Sequence, residues 1–387
     1  MTISELKGDC YGCGACVQIC PKDAICIQEN ERGFLDAKIE KNKCVNCGLC
    51  SAVCVKEYEN SGNGIQVKKA MYGFNSNEDD RRTSTSGGIF IEIARMFIEA
   101  GDYVVGCIWD KDWMPEHVLT NDMEVVRMMQ KSKYVQSNIV KVYKPMIEAI
   151  RQGKKVLFSG TPCQIAAIRK VIKDENNVFY LSVVCHGVSS RGIWRKYVKW
   201  LESIHGKIVK LRMREKPISK SDDYAMYIEN QEGRGILLEG PKTGQFMQCF
   251  KEGLFVSGRC NKCQFKGDSI GADIIIGDGW GADKFFDDFD DGQGVSCILI
   301  KSENGEKLWE KLQKTFAVRD IDVDLVVKSN QRLVSPAKVN RRTFKFYKKV
   351  SDRDMISEEI LEKSMYVNTI EAKMKRVIRK MMFWTRH

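Results

Sequence analysis

Cysteines at two regular spacings are the clearest chemical feature of this 387-residue sequence. Nine of its sixteen cysteines fall within the first 54 residues, and eight of these nine lie in the stretches CYGCGACVQICP (10–21) and CVNCGLCSAVCV (44–55). Each stretch places cysteines at i, i+3, i+6 and i+10. In such a run the first three thiolates bind one iron–sulfur cluster and the fourth binds a second cluster. The spacing therefore predicts two 4Fe-4S clusters, one bound by Cys10, Cys13, Cys16 and Cys54 and the other by Cys44, Cys47, Cys50 and Cys20.

Structural zinc is the alternative for these cysteines. Zinc sites take four ligands at finger or ribbon spacing, and two full repeats of the cluster spacing favour iron and sulfur. Gly12, Gly14 and Gly48 fit loops whose backbone must approach sulfide closely, and Val55 replaces the proline expected after the second run. Cys26, in a short predicted strand, is predicted to be a core residue rather than a ligand. The segment resembles the bacterial two-cluster ferredoxin domain, which transfers single electrons.

A second group of cysteines lies in the body of the chain. Cys163, in FSGTPCQ, and Cys185 each follow the end of a predicted strand, and the C-terminal ends of parallel strands share the edge of a sheet where ligands bind. Cys260 and Cys263 form a CxxC pair, which alone could bind zinc or act as a redox dithiol. Convergence of all four on one edge indicates a third iron–sulfur cluster. A nucleophilic Cys163 activated by His186 and a buried structural Cys163 are the alternatives.

Ordered motifs in the body resemble one known family. STSGGIF, KSKYVQS, FSGTPCQIAAIRK, VCHGVSS and CNKCQF…GADIIIGDGWG occur in the order typical of the beta-subunit family of coenzyme F420 hydrogenase/dehydrogenase, which looks related to ferredoxin-linked chlorophyll reductases. The similarity spans roughly residues 65 to 340. It implies a flavoenzyme fold that holds FAD beside an iron–sulfur cluster, with Cys163, Cys185, Cys260 and Cys263 as the cluster ligands. The other body cysteines are predicted to be buried core residues, namely Cys107, Cys249 and Cys297.

Candidate flavin contacts follow from this resemblance rather than from a Rossmann motif. No GxGxxG lies between a strand and a helix, so a Rossmann-type nucleotide site is not predicted. Ser86, Gly87 and Gly88 begin a predicted helix whose free N–H groups suit a pyrophosphate, with an ordinary helix cap as the alternative. The other predicted FAD contacts are Lys133, Tyr134, Gly160, Thr161 and Asp278. A surface loop is the alternative for Lys133 and Tyr134, and a turn is the alternative for Asp278.

The elements that position these residues indicate the fold class. Alternating short strands and helices predict an α/β body with parallel strand pairs, and the pattern past residue 205 predicts α+β insertions. The predicted fold is therefore a small ferredoxin-like two-cluster domain followed by a larger mixed α/β flavin-binding domain. The predicted boundaries are a ferredoxin domain over 1–60, a linker over 61–82, a flavin and iron–sulfur domain over 83–340 and a basic helical tail over 341–387.

Charge and hydropathy restrict the compartment and the partners. The N-terminus has no signal-peptide core and no apolar run approaches the ~18 residues of a membrane span, so we expect a cytoplasmic protein with reduced thiols. The net charge is +11, although residues 1–80 hold 9 Lys/Arg against 12 Asp/Glu. The basic body suits acidic electron carriers, a phosphorylated cofactor or anionic lipid, although charge alone favours the alternative of a well-solvated surface. The stretch KMKRVIRKMMFWTRH (373–387) is a basic amphipathic pattern that can make peripheral contact with an anionic membrane, although a docked helix or a free basic end is the preferred interpretation.

These observations favour an iron–sulfur flavoprotein oxidoreductase. It would pass electrons between a redox carrier, such as ferredoxin or flavodoxin, and an unidentified organic substrate through three 4Fe-4S clusters and FAD. A ferredoxin-linked reductase is the predicted enzyme class. The alternative is a non-catalytic electron-relay subunit that feeds a separate enzyme. Nucleic-acid binding is not predicted, because no recognised motif accompanies the basic charge.

Overall fold

The computed structural model describes residues 2–6, 8–58, 62, 64–174, 176–216, 225–238 and 244–365. Its strands are β1 (Ile25–Glu29), β2 (Leu35–Ile39), β3 (Lys69–Asn75), β4 (Tyr103–Trp109), β5 (Pro115–Thr120), β6 (Val156–Gly160), β7 (Val178–Val183), β8 (Ile208–Glu215), β9 (Ala225–Asn230), β10 (Gly235–Leu238), β11 (Ile274–Asp278), β12 (Ser296–Ile300) and β13 (Phe316–Asp320). The stretch 373–387, and with it the predicted membrane contact, lies outside the described residues.

The helices alternate with these strands over most of the body. They are α1 (Ala15–Ile19), α2 (Leu49–Ala52), α3 (Glu78–Thr83), α4 (Ile89–Glu99), α5 (Met123–Met129), α6 (Tyr143–Arg151), α7 (Pro162–Val171), α8 (Arg191–His205), α9 (Gln245–Lys251), α10 (Ala282–Phe285), α11 (Glu303–Leu312), α12 (Val323–Ser329), α13 (Thr343–Val350) and α14 (Glu358–Ser364). Short 3-10 helices cover Val55–Glu57, Val140–Val142, Cys260–Lys262, Gly267–Ser269, Gln313–Thr315 and Gln331–Leu333. Within the described ranges, no helix has the length and apolar character needed to cross a membrane.

The N-terminal unit consists of the antiparallel β1–β2 hairpin and the two short helices α1 and α2. Each helix begins directly after a glycine in the left-handed conformation, Gly14 with φ of 72° and Gly48 with φ of 78°. Glycine adopts this conformation without a Cβ clash, so the chain can turn sharply between the second and third cysteine of each run. The repeated sequence therefore folds into a repeated local structure.

The body is built around a mixed sheet whose described strands follow the order β13-β3-β12-β11-β7-β6-β4-β5. The pairs β4–β6, β6–β7 and β7–β11 are parallel, and the outer pairs are antiparallel. Parallel strands end at a common edge, so the residues that follow β6, β7 and β11 meet there. Cys163, Cys185 and Asp278 lie at this edge, and the mixed α/β fold class predicted from the sequence is confirmed.

Both faces of the large sheet are buried. In β6, Val156 and Phe158 pack into the core on one face, whereas Leu157 packs into the core on the other. The first face is covered by α6, α7 and part of the N-terminal unit, and the second face by α4, α5 and α11. Burial on both faces is why the parallel strands are continuous apolar runs rather than alternating ones.

A smaller antiparallel sheet, with the order β10-β9-β8, forms a second layer of the body. It shares a core with α8, α9, α13 and α14. Large aromatic side chains dominate this core, and Trp194, Tyr197 and Phe246 are fully buried in it. The Ser190 hydroxyl accepts a hydrogen bond from the Ile193 N–H at 3.1 Å and so caps the start of α8.

Two segments outside the predicted flavin and iron–sulfur domain contribute to the folded body. The predicted linker over 61–82 contains β3, which is hydrogen-bonded between β12 and β13 and buries Met71 and Tyr72 completely, and α3 follows it. The predicted tail over 341–387 contains α13 and α14, which place Phe346, Val350 and Leu361 in the core of the smaller sheet. In both cases the partners lie far away in the sequence, so the local polar composition gave no sign of the packing.

Candidate redox centres and cofactor pocket

The structure brings Cys10, Cys13, Cys16 and Cys54 together, the four ligands predicted for one cluster. Burial raises the pKa of the Cys13 thiol, and the other three thiols of the set raise it further. Burial also raises the pKa of the Cys16 thiol to about 12. The Gly12 N–H donates to Cys10 Sγ at 3.3 Å, which favours a thiolate there. Coordination to iron is what would deprotonate such buried thiols.

The second predicted set is only partly gathered. Cys20 and Cys50 pack against cysteines of the first set in a small apolar core. The other two members lie in the loop before α2, Cys44 half-buried and Cys47 exposed. The second cluster therefore stays a prediction, and its exposed ligand would be on the surface of the N-terminal unit.

The body cysteines converge on one cavity of about 50 Å³ at the C-terminal edge of the large sheet. Cys163, Cys185, Cys260 and Cys263 all line it. Burial raises the pKa of the first three of these thiols, and neighbouring thiols of the same set raise it further. Across the described ranges, no three His, Cys, Asp or Glu residues are placed to hold a single metal ion. A 4Fe-4S cluster instead takes four thiolates spread around a cube, and the donor set fits that requirement.

The nucleophile alternative for Cys163 finds no support in this geometry. A catalytic thiol needs a lowered pKa, whereas burial raises that of Cys163. His186 lines the same cavity, and burial together with the charges of Arg332 and Lys266 lowers its pKa to about 4. A histidine with so low a pKa is a weak base at neutral pH.

The N-terminal unit reaches the four-cysteine cavity directly. Tyr11 and Cys13 line the cavity together with the body cysteines. The buried amide of Gln136 donates to Tyr11 O at 3.1 Å and accepts from the Leu35 N–H at 2.7 Å. The Tyr143 hydroxyl donates to Cys13 O at 3.0 Å. Cys13, a predicted ligand of the first cluster, is therefore held on the wall of the predicted third site.

A larger pocket of about 780 Å³ opens beside this cavity, and natural ligand sites span about 300–1,000 Å³. Thr161, Gln164 and Cys185 line both spaces. Of the predicted flavin contacts, those that line the pocket are Ser86, Gly88, Lys133, Tyr134, Gly160, Thr161 and Asp278. A ligand in the pocket would therefore be adjacent to the four cysteines.

Gly87, the remaining predicted flavin contact, is outside the pocket lining. Its N–H donates to Ser296 Oγ at 2.9 Å. A Cβ at Gly87 would lie 2.5 Å from the Gly73 carbonyl oxygen. The absence of a side chain at Gly87 therefore lets the segment before α4 pack against the sheet.

Lys133 lines the pocket, but its ammonium is hydrogen-bonded to the end of a helix and not to the pocket. Its Nζ donates to main-chain carbonyls at the C-terminal end of α5, including those of Met128 and Gln130, both at 3.1 Å. These carbonyls have no partner inside the helix, so the ammonium caps the helix end. Burial lowers the pKa of Lys133 to about 8.

Residues 9–58 match the 4Fe-4S dicluster domain, and residues 153–323 match the C-terminal domain of the coenzyme F420 hydrogenase/dehydrogenase beta subunit. Both parts of the resemblance noted in the sequence are thereby confirmed, and the chain is similar to iron–sulfur proteins of the oxidoreductase type.

One similar solved structure is a chain of the F420-reducing NiFe hydrogenase complex from Methanosarcina barkeri. It is 19% identical to this chain, and the alignment covers 71% of this chain and 91% of that chain with a TM-score of 0.48. No curated protein sequence matches this chain significantly.

Arg214 is a pocket residue that sequence reasoning missed. It is buried, and its Nη1 donates to Asp278 Oδ2 at 2.6 Å and to the Tyr134 hydroxyl at 3.2 Å. The guanidinium also lies 5.7 Å from the ring centroid of Trp280. Arg214 thus joins two predicted flavin contacts into one hydrogen-bonded group. It lies in β8 of the smaller sheet, and no local motif marks it.

His117 is the second pocket residue that sequence reasoning missed. It is 3% exposed, its ring stacks on Phe158, and burial lowers its pKa to about 4, so the imidazole is neutral at pH 7. Its Nε2 lies 3.2 Å from the Ser159 carbonyl oxygen and must carry the proton, because that oxygen can only accept. The acceptor Nδ1 is buried and has no hydrogen-bond partner among the described residues. A ligand N–H or O–H in the pocket would satisfy it.

The predicted core cysteines have mixed outcomes. Cys249 and Cys297 are completely buried, as predicted. Cys107 is half-buried and lines the pocket, so the prediction of a core residue is wrong there. Cys26 is half-buried in β1, and its Sγ accepts from Gln28 Nε2 at 3.3 Å. Neither Cys26 nor Cys107 lines the four-cysteine cavity.

Proposed function

We propose that this protein is an iron–sulfur flavoprotein reductase. It takes single electrons from a ferredoxin-type carrier and delivers them in pairs to an organic substrate. One observation carries the proposal: the four-cysteine cavity contacts Cys13 of the N-terminal unit on one side and shares its wall with the 780 Å³ pocket on the other. This continuity supports an electron path from the dicluster domain to a cofactor in the pocket.

FAD is the cofactor that best fits the pocket residues. When bound, FAD couples one-electron to two-electron transfer. The start of α4, beside Ser86 and Gly88, offers free N–H groups to a pyrophosphate. His117 Nδ1 offers a buried acceptor to a ligand N–H. Arg214, held by Asp278, supplies a fixed positive charge on the same wall.

The overall reaction balances with two carriers for each substrate. Two reduced carriers each lose one electron, and the substrate gains two electrons and takes up two protons from solvent. Trp280 lines the pocket and is 44% exposed, so the pocket reaches the surface. Access from solvent favours an enzyme with its own substrate over a relay subunit whose cofactor is covered.

The proposal is tested on anaerobically purified protein reconstituted with excess FAD. We expect the washed protein to release FAD when denatured, and to oxidise reduced ferredoxin when a panel of organic acceptors is supplied. A supernatant without flavin absorbance would refute the flavoprotein proposal. FAD release without turnover of any acceptor, together with electron transfer to an added partner enzyme, would instead favour the relay subunit.

Replacing His117 by phenylalanine is expected to weaken FAD binding about tenfold. A net hydrogen bond contributes about 0.5–1.5 kcal/mol, and tenfold in affinity corresponds to about 1.4 kcal/mol. Phenylalanine keeps the ring stacking on Phe158 but removes the Nδ1 acceptor. The affinity is measured by titrating FAD into flavin-free protein that retains its iron and following the quenching of flavin fluorescence.

His117→Gln is the matched control, because its amide can restore the acceptor and should recover part of the affinity. The low pKa of His117 keeps the imidazole neutral throughout pH 6–8, so the difference between wild type and H117F should not change over that range. Equal FAD affinity of H117F and wild type would show that Nδ1 does not contact the flavin.

A further inference from the structure

A buried cation lies in the wall of the four-cysteine cavity. Lys266 is 3% exposed and lines the cavity. Its Nζ donates to the Cys185 carbonyl oxygen at 2.7 Å and to the Arg332 carbonyl oxygen at 2.6 Å. Burying an ammonium is costly unless it is well hydrogen-bonded. The Lys266 ammonium therefore lies where it would act on the charge of a cluster bound to Cys185.

The charges around this cavity are of one sign. The described residues that line it include Lys266 and Arg259 but no aspartate or glutamate. The Lys266 charge acts on Cys185 in the direction that favours the thiolate, against the effect of burial. A cluster bound here would therefore lie beside a buried cation, with no carboxylate among the described residues that line the cavity.

The charges that act on the cysteines of the first ferredoxin set are of both signs. Asp36 and Lys56 act on Cys10 in opposite directions. Glu57 opposes the cations that act on Cys54, namely Lys56 and Arg259. The N-terminal unit thus places carboxylates beside its cysteines, whereas the body cavity has none in its described lining.

We propose that Lys266 raises the reduction potential of a cluster bound by the four body cysteines above the potentials of the ferredoxin clusters. Reduction adds one negative charge to a cluster, and a fixed buried cation stabilises that charge strongly because the surrounding dielectric is low. Electrons that enter through the dicluster domain then move downhill into the body. The inference rests on the proposed function and adds the direction of electron flow, which favours reduction of the substrate. Lys266 acts as a positioning residue, through the cluster's charge and not by touching the substrate.

The test is a potentiometric titration of the complete, anaerobically purified protein, followed by electron paramagnetic resonance. Cys163→Ser identifies which signal belongs to the third cluster. In wild type we expect this signal to appear at a higher potential than both ferredoxin signals. Lys266→Gln keeps a donor for the carbonyls but removes the charge, and it should lower the third midpoint by at least the equivalent of tenfold in electron affinity, about 59 mV for one electron. Lys266→Arg keeps the charge and should leave the order unchanged.

Lys56→Met is the reciprocal control, because Lys56 acts on Cys10 and Cys54 of the first set. It should lower a ferredoxin midpoint and leave the third midpoint unchanged. Lys266→Met is measured in parallel with K266Q, and iron is counted in every variant so that loss of the cluster is distinguished from a shift. A full iron content with an unchanged third midpoint in K266Q would overturn this inference alone. A wild-type protein with only two clusters would refute the proposed function, and this inference with it.

Discussion

Replacing Cys163 by serine is expected to lower the iron content of the purified protein from about twelve to about eight atoms per chain, because one of the three proposed four-iron clusters would be lost. Cys163 lies at the start of α7, where Thr161 Oγ1 is 3.3 Å from its sulfur, and it lines the cavity with the other three body cysteines. Serine supplies a hard oxygen in place of a soft thiolate, and iron–sulfur clusters select thiolates. Iron and acid-labile sulfide are measured on protein purified without oxygen.

Cys26→Ser is the matched control for this variant. Cys26 is half-buried in β1, outside both predicted ferredoxin sets and outside the cavity lining. The C26S protein should retain about twelve irons per chain. C163S should also keep the signals of the ferredoxin clusters, because their cysteines lie in the N-terminal unit. An unchanged iron content in C163S, or a wild-type protein with about eight irons per chain, would show that Cys163 has a structural role and does not bind a cluster.

The parts of the site that follow from local chemistry could be predicted from the sequence. The cysteine runs predict the gathering of Cys10, Cys13, Cys16 and Cys54, because their spacing is local and only Cys54 comes from the second run. The convergence of Cys163 and Cys185 was predictable as well, since parallel strands fix where their C-terminal ends lie. In each case a few neighbouring residues contain the whole signal.

Features that depend on distant partners could not be predicted. β3 has a polar surrounding sequence, and its burial depends on pairing with β12 and β13, more than two hundred residues away. Arg214 and His117 enter the pocket from the smaller sheet and from β5. An arginine in a strand and a lone histidine are common in any protein. Only the three-dimensional packing shows that one is paired with Asp278 and that the other has a buried acceptor.

The packing of the N-terminal unit against the body likewise could not be predicted from the sequence. The second large prediction concerns an arginine at this contact. Arg191→Leu is expected to lower the free energy of unfolding by about 3–5 kcal/mol. Arg191 is 9% exposed, and its Nη1 donates to Pro115 O at 2.9 Å and to Gln136 O at 3.0 Å. Its Nε donates to Glu29 Oε1 at 3.3 Å, at the end of β1. Leucine keeps the apolar volume but leaves two buried carbonyls without this donor. Anaerobic denaturant unfolding measures the change.

Arg195→Leu separates this effect from the simple loss of an ion pair. Arg195 lies one turn further along α8 and binds the same carboxylate, with its Nη2 2.6 Å from Glu29 Oε1, but its side chain is 45% exposed. Exposed ion pairs contribute about 0–1 kcal/mol, so R195L should be close to wild type. Because the Gln136 side chain holds Tyr11 and Leu35, R191L should also speed proteolysis and amide exchange in the β1–β2 hairpin. Equal destabilisation by the two variants would mean that the shared contact with Glu29, and not the buried carbonyls, holds the N-terminal unit in place.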